Sequence, residues 1–176
     1  LAVEKDVDKY FSHLETMHKQ DNDALNVAQA LQALRNSWAN ILRDKNSSVA
    51  TSFYDHTQLI SEALSFIALI GDQSNLILDP DLDSYYLMDL SVLAMPGLVE
   101  SLGQARGVAS SAATSGGLTR ESLVDLSKVL AKVDRLKNQV SNGLSTALEH
   151  TENPNLDSAT SAALSKLNTD ITQFVS

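Results

Sequence analysis

The fold of this chain is decided by residues 119–148, which read TRESLVDLSKVLAKVDRLKNQVSNGLSTAL. Apolar side chains recur there at intervals of three and four residues, the spacing that places them on one face of an α-helix. Thr119 precedes this stripe and predicts its N-cap, and residues 151–155 (TENPN) predict its end. The apolar positions are Leu123, Leu126, Leu130, Val133, Leu136, Val140, Leu144 and Leu148.

Stripes of the same period occupy most of the remaining sequence. Polar or glycine-rich breaks separate them at residues 21–23, 46–48, 71–80 and 115–117. The first two stripes form either one long helix or two stacked helices, because Asp21-Asn22-Asp23 fits both a kink and an N-cap. The apolar positions are Val3, Val7, Tyr10, Leu14 and Met17; Leu25, Ala28, Leu31, Leu34, Trp38 and Ile41; Phe53, His56, Ile60, Ala63, Ile67 and Ile70; and Leu164, Leu167, Ile171 and Phe174.

A third helix is predicted from near Asp81 to about Ala113, with a kink around Met95-Pro96-Gly97 where proline removes a backbone donor. Asp157 is the expected cap of the last helix. Strand-like alternation does not compete with these stripes. The sequence therefore predicts an all-α fold, an antiparallel up-and-down helical bundle of four long helical passes, some kinked or broken, forming a single domain over residues 1–176.

The amino-acid composition argues against several classes of function. The 13 Lys and Arg are outnumbered by 22 Asp and Glu, for a net charge of -9, which argues against a nucleic-acid partner. Cysteine is absent, which removes disulfides and cysteine nucleophiles. No pair of nucleophile and base can be named, so we expect no catalysis and no cofactor in this chain. His13 and His18 are five residues apart, off the spacing of two metal ligands on one helix, and no metal is expected.

The most unusual segment is residues 74–89, which contains four Asp and two adjacent Tyr. Three interpretations compete for it. Asp79, Asp81 and Asp83 copy part of an EF-hand calcium loop, but Ser84 replaces its glycine and Leu90 its glutamate. A structural interpretation makes the first Asp residues helix caps and loop supports. It leaves Asp89 on an apolar side, where a charge needs a partner or a wet cavity.

The third interpretation is a ligand pocket between helices. Tyr85, Tyr86, Asp89 and Arg106 are the candidate pocket residues, since hydroxyl and charged groups in apolar walls hold small organic ligands in this way. Arg106 would pair with Asp89 only if neighbouring helices bring them together. His56 and Trp38 are weaker candidates, because each lies on an apolar stripe where a core role is the alternative. Gly103-x-x-x-Gly107 is expected to let another helix approach closely.

Residues 75–89 (NLILDPDLDSYYLMD) resemble a motif in the extracytoplasmic helical sensor regions of bacterial transmembrane receptors, both histidine kinases and chemoreceptors. Residues 95–100 (MPGLVE) and 103–107 (GQARG) resemble its continuation, where Leu often precedes the proline; here the residue is Met95. The resemblance implies a periplasmic domain of an inner-membrane protein, held by flanking membrane helices outside this chain. It implies output through a cytoplasmic histidine kinase or kinase-coupling domain, and dimerisation of two copies through the first helix.

The expected function is therefore sensing of a small-molecule ligand or a periplasmic binding protein. The stripes at both ends of the sequence are still periodic where it stops, which fits a domain inserted between two membrane helices as well as a trimmed free-standing bundle. The alternative function is a helical protein-interaction or structural bundle with no small-molecule pocket.

Overall fold

The computed structural model describes residues 2–44 and 46–175, and helices account for nearly all of them; this described part contains no strand. The predicted all-α class is thus confirmed. The α-helices are α1 (Ala2–Asp21), α2 (Ala28–Arg43), α3 (Val49–Gln73), α4 (Leu82–Asp89), α5 (Met95–Ser115), α6 (Arg120–His150) and α7 (Leu156–Val175). A short 3₁₀ helix spans Leu76–Leu78, and a π-helical segment, Leu90–Ala94, joins α4 to α5.

Contacts group the chain into two compact units, Leu1–Asn75 and Leu76–Ser176, called unit 1 and unit 2 below. Unit 1 contains α1, α2 and α3, and unit 2 contains the remaining helices. The sequence predicts a single domain over residues 1–176, and this single-domain organisation stays a prediction.

The break between α1 and α2 shows that the first two stripes are separate helices. Asn22, Asp23 and Asn26 adopt left-handed backbone conformations, with φ of 51°, 55° and 50°. Asn and Asp enter this region more readily than other non-glycine residues, and it ends a right-handed helix. Oδ1 of Asp23 then accepts the N–H groups of Val27 (2.7 Å) and Ala28 (3.1 Å), so this side chain caps α2 as one of the two alternatives predicted.

The core of unit 1 lies between the three helices. Its buried side chains are Phe11, Val27, Leu31, Leu34, Trp38 and Phe66. On α3 the predicted stripe is only partly correct. Ala63 and Ile70 pack against this core, whereas Phe53, Ile60 and Ile67 are about two-fifths exposed and Phe66 is buried instead. Apolar residues surround much of this helix, so their spacing alone does not show which face packs.

In unit 2 the predicted third helix is confirmed in extent, since α4, the π-helical segment and α5 run without a break from Leu82 to Ser115. The irregular turn ends at Ala94, immediately before Met95 and Pro96. Pro96 lacks the N–H that would donate to the carbonyl of Val92, and a wider turn accommodates that loss. The core of this unit comprises Leu90, Ala94, Leu98, Val133, Leu136, Val140, Leu144 and Ile171.

The ends of α5 and α6 are set by a left-handed glycine and by a side-chain cap, and α7 begins one residue before the predicted cap. Gly116 is left-handed (φ 83°) after α5, and Oγ1 of Thr119 accepts the N–H of Ser122 at 3.1 Å, as the predicted cap of α6. Thr151 follows the last residue of α6, also as predicted. The prediction for Asp157 is wrong: it lies inside the first turn of α7, which begins one residue earlier, at Leu156.

Close helix approach occurs at a glycine that the sequence did not single out. A Cβ atom at Gly143 would lie 3.0 Å from Cδ2 of Leu90 and 3.4 Å from Cδ1 of Tyr86. A Cβ atom at Gly103 would have no neighbour within 4 Å, so the predicted close approach does not occur there. Gly143 on α6 thus makes room for the end of α4 and the start of the π-helical segment.

We expect Gly143→Leu to lower the free energy of unfolding by about 1–3 kcal/mol, because the new side chain overlaps Leu90 and Tyr86. Gly103→Ala is the matched control and should raise it by about 1 kcal/mol, since it only removes the backbone freedom of a helical glycine. Urea unfolding followed by circular dichroism measures both values. Equal changes at the two positions would contradict the packing described for Gly143.

Candidate functional site

The six candidate residues from the sequence divide between the two units. Tyr85, Tyr86 and Asp89 lie on α4 and Arg106 lies on α5, all in unit 2. The remaining two belong to unit 1, with Trp38 on α2 and His56 on α3. Each group is therefore described within its own unit.

Tyr85, Tyr86 and Asp89 lie within the last five residues of α4 and are called the cluster below. The two rings meet edge to face with centroids 5.5 Å apart. Tyr85 is 39% exposed, and Tyr86 is half-buried beside Gly143. Asp89 is half-buried as well, and its Oδ2 accepts a hydrogen bond from Nε2 of Gln139 on α6 at 2.9 Å. The cluster thus joins α4 to α6 immediately before the helix changes to π geometry.

The partner of Asp89 is an amide rather than a cation. The expected need for a partner is met by Gln139, whereas Arg106 is exposed and makes no hydrogen bond or ion pair with any residue that the structure describes. An amide donor carries no charge of its own, so a cation or a further hydrogen-bond donor is the complementary group for this side chain.

The preceding Asp residues organise the loop into α4. Oδ1 of Asp79 accepts the N–H of Asp81 at 3.0 Å, as expected for a loop support. Asp81 occupies the N-cap position of α4 but makes no side-chain capping bond, and Oδ1 of Asp83 accepts the N–H of Ser84 at 2.8 Å. Among the described residues there is no group of three or more His, Asp or Glu side chains placed to hold a metal ion.

The two candidates in unit 1 have different environments. His56 is exposed, and its Nδ1 donates to the carbonyl oxygen of Ser52 at 2.7 Å. Trp38 is buried with 5% exposure, in agreement with a core role. Its Nε1 donates to Oδ1 of Asp8 on α1 at 3.0 Å.

Asp8 is the centre of a network that the sequence did not reveal. The same Oδ1 accepts a hydrogen bond from Nη1 of Arg35 at 2.7 Å. The guanidinium group of Arg35 also lies over the ring of Phe11 at 5.1 Å, and its Nε is 3.6 Å from Oε1 of Glu15. One available signal was the spacing of Arg35 and Trp38, three apart and so on one face of α2. Nothing in the sequence shows that Asp8 meets that face.

The hydrogen bond from Arg35, and then that from Trp38, hold the pKa of Asp8 below its ordinary value of 3.8. Both donors favour the ionised carboxylate in the folded chain. The stabilisation is therefore present at pH values above 3.8 and is lost as the pH falls through the lower pKa of the folded state.

A cavity of about 520 Å³ lies at one end of unit 1. It is surrounded by the last turns of α1, the connection to α2, the first turn of α2 and the end of α3. Its volume is within the range of small-molecule sites. The lining residues are Leu14, Met17, His18, Gln20, Asp21, Leu25, Val27, Leu31, Phe66 and Ile70.

Comparison of the chain with protein-family models, curated proteins and solved structures gave no match. Within the described residues, no helix has both the length and the apolar character needed to cross a membrane.

We expect Asp8→Asn to destabilise the chain most at about pH 6, where the carboxylate is fully ionised. The difference from the unsubstituted chain should shrink as the pH falls below 3.8, because that carboxylate is then lost by protonation. Urea unfolding at a series of pH values measures it. Asp6→Asn is the matched control, because Asp6 is an exposed residue of the same helix with no hydrogen bond among the described residues. A difference independent of pH would contradict the role of the Asp8 charge.

Proposed function

We propose that this chain is the ligand-sensing extracytoplasmic domain of a bacterial transmembrane signalling receptor, of the histidine kinase or chemoreceptor type. The proposal combines the resemblance of residues 75–89, 95–100 and 103–107 to such sensors with the all-helical fold. Its finer architecture is an antiparallel up-and-down bundle of four long passes, located in the periplasm. In this proposal the chain has no catalytic role, and any kinase activity belongs to another part of the receptor.

The observation that carries the proposal is the π-helical segment Leu90–Ala94 directly after the Tyr85, Tyr86 and Asp89 cluster. Single π-helical turns inside α-helices are frequent at functional sites. Such a turn holds an extra residue, so a change between π and α geometry rotates and shifts the helix that follows it. In this proposal the segment Leu90–Ala94 is the element that changes between the two geometries.

The mechanism follows from the hydrogen bond between Asp89 and Gln139. A ligand that offers a donor or a cation to Asp89 competes with Gln139 and changes the contact between α4 and α6. Ligand binding then favours one geometry of Leu90–Ala94 and displaces α5 along α6. A helix displacement of this kind is what a transmembrane receptor passes to its output domain.

A protein-interaction bundle without a small-molecule pocket is the second candidate. One observation favours it: Phe53, Ile60 and Ile67 on α3 are spaced seven residues apart and are 42%, 40% and 38% exposed. This apolar stripe could contact a protein partner, including a periplasmic binding protein or a second copy of the chain.

A thermal-shift screen of amino acids, organic acids, amines and polyamines tests the sensor proposal. A ligand at 100 times its dissociation constant should stabilise the chain by about 2.7 kcal/mol. Asp89→Asn and Tyr85→Phe should weaken its binding, because they remove the charge and a hydroxyl of the cluster. Asp134→Asn, at an exposed position of α6, is the control and should not. A screen without a hit, or a hit insensitive to Asp89 and Tyr85, would overturn the assigned site.

The membrane placement has a separate test. The coding sequence on both sides of this segment should encode apolar helices of about 20 residues. Start and stop codons directly adjoining the segment would overturn the receptor assignment without affecting the ligand site.

A further inference from the structure

The cavity in unit 1 has apolar walls and a polar mouth. Seven of its ten lining residues are apolar, contributed by α1, the connection to α2, α2 and α3. The other three, His18, Gln20 and Asp21, all lie in the last turn of α1. A cavity of this kind fits a molecule with an apolar body and one polar end.

The charge at the mouth is negative. Asp21 is exposed, and its carboxylate has no hydrogen-bond or ion-pair partner among the described residues. The Nδ1 atom of His18 lies 3.6 Å from Oδ1 of Asp23, so this side chain is placed beside the other carboxylate of the connection. Among the described residues that line the cavity there is no Lys or Arg, and Lys19, the other basic residue in the last turn of α1, is not one of them.

The backbone adds to this negative potential. The cavity adjoins the carboxyl-terminal ends of both α1 and α3, where helices carry partial negative charge. The opposite pole, the N-terminus of α2, is already occupied by the carboxylate of Asp23, which accepts the N–H groups of Val27 and Ala28. A cation is therefore the complementary ligand group for this mouth.

We propose that this cavity binds a small amphipathic cation, with its hydrocarbon body among the apolar side chains and its ammonium group at Asp21. The site lies outside the Tyr85, Tyr86 and Asp89 cluster and does not depend on the sensor proposal. It requires no conformational change in unit 1, because the cavity is already open.

The test is a titration of the whole isotope-labelled chain with octylamine, octanol and octanoate, monitored by amide chemical shifts. The three probes share an apolar chain and differ in the charge of the head group. Octylamine should bind tightest and shift the amides of residues 14–31 and 66–70, and octanoate should bind weakest. Equal affinity for octanoate and octylamine, or no shifts in these residues, would overturn the proposal.

Two variants sharpen this test. Asp21→Asn should weaken octylamine about fivefold, as expected for an exposed charge pair at a helix end, and should leave octanol unchanged. Asp6→Asn on the same helix is the control and should change neither. Leu25→Trp should fill the cavity and remove binding of all three probes, provided that circular dichroism shows an unchanged fold. If Leu25→Trp does not fold, the Asp21→Asn result decides.

The outcomes also separate the two proposals. Octylamine shifts confined to residues 85–89 and 139 would overturn the cavity site and support the cluster on α4. Shifts confined to the cavity would support this site and leave the sensor proposal to its own screen. An octylamine affinity unchanged by Asp21→Asn would overturn the assignment of the ammonium group.

Discussion

The position of α1 in unit 1 depends on the hydrogen bonds that the carboxylate of Asp8 accepts. One oxygen accepts hydrogen bonds from both Arg35 and Trp38, and so ties α1 to α2 at a fixed register. The apolar packing of α1 rests on Phe11, which is buried, and on Val7 and Leu14, which are partly buried against the same core. Val3, Tyr10 and Met17 on this helix are more than half exposed. The cavity is formed by the last turns of α1, so its shape follows from this register.

Unit 2 is organised by a different constraint, the narrow space between α4 and α6. Gly143 admits Tyr86 and Leu90, and Asp89 beside them receives the hydrogen bond from Gln139. Pro96 then removes a backbone donor just after the turn that widens to π geometry. The close packing at Gly143, the carboxylate of Asp89 and the π-helical segment thus lie within a few residues of the end of α4. In the sensor proposal, this is the part of the molecule that converts ligand binding into helix movement.

The sequence predicted the helical class and most helix ends, because these depend on local chemistry. Thr119, Ser115-Gly116-Gly117 and Asp23 end or cap helices through their own backbone and side-chain preferences. The packing face of α3 was predicted only in part, since Leu59, Ile60, Phe66 and Ile67 offer apolar groups on more than one side. The ion pair between Asp8 and Arg35 was also not predicted. Asp8 and Arg35 are 27 residues apart, and only the folded chain brings them together.

The candidate site was predicted in part. Asp89 was singled out as a charge that needs a partner, and it has one, but sequence spacing could not identify Gln139, which lies 50 residues away. The cavity in unit 1 left no signal, because its walls are ordinary core residues from three helices. Asp21, the acidic residue at this cavity, belongs to the polar segment 21–23, which in the sequence indicates only the end of a helix.

Amide hydrogen exchange of α1, compared between the unsubstituted chain and Asp8→Asn, tests whether the Asp8 contacts hold this helix. Measured at a pH above 3.8, the amides of α1 should exchange faster in Asp8→Asn, while those of α6 keep their rates, because the lost contact joins α1 to α2 alone. Unchanged exchange in α1, or equal acceleration in α1 and α6, would contradict the claim that the Asp8 contacts hold the first helix in place.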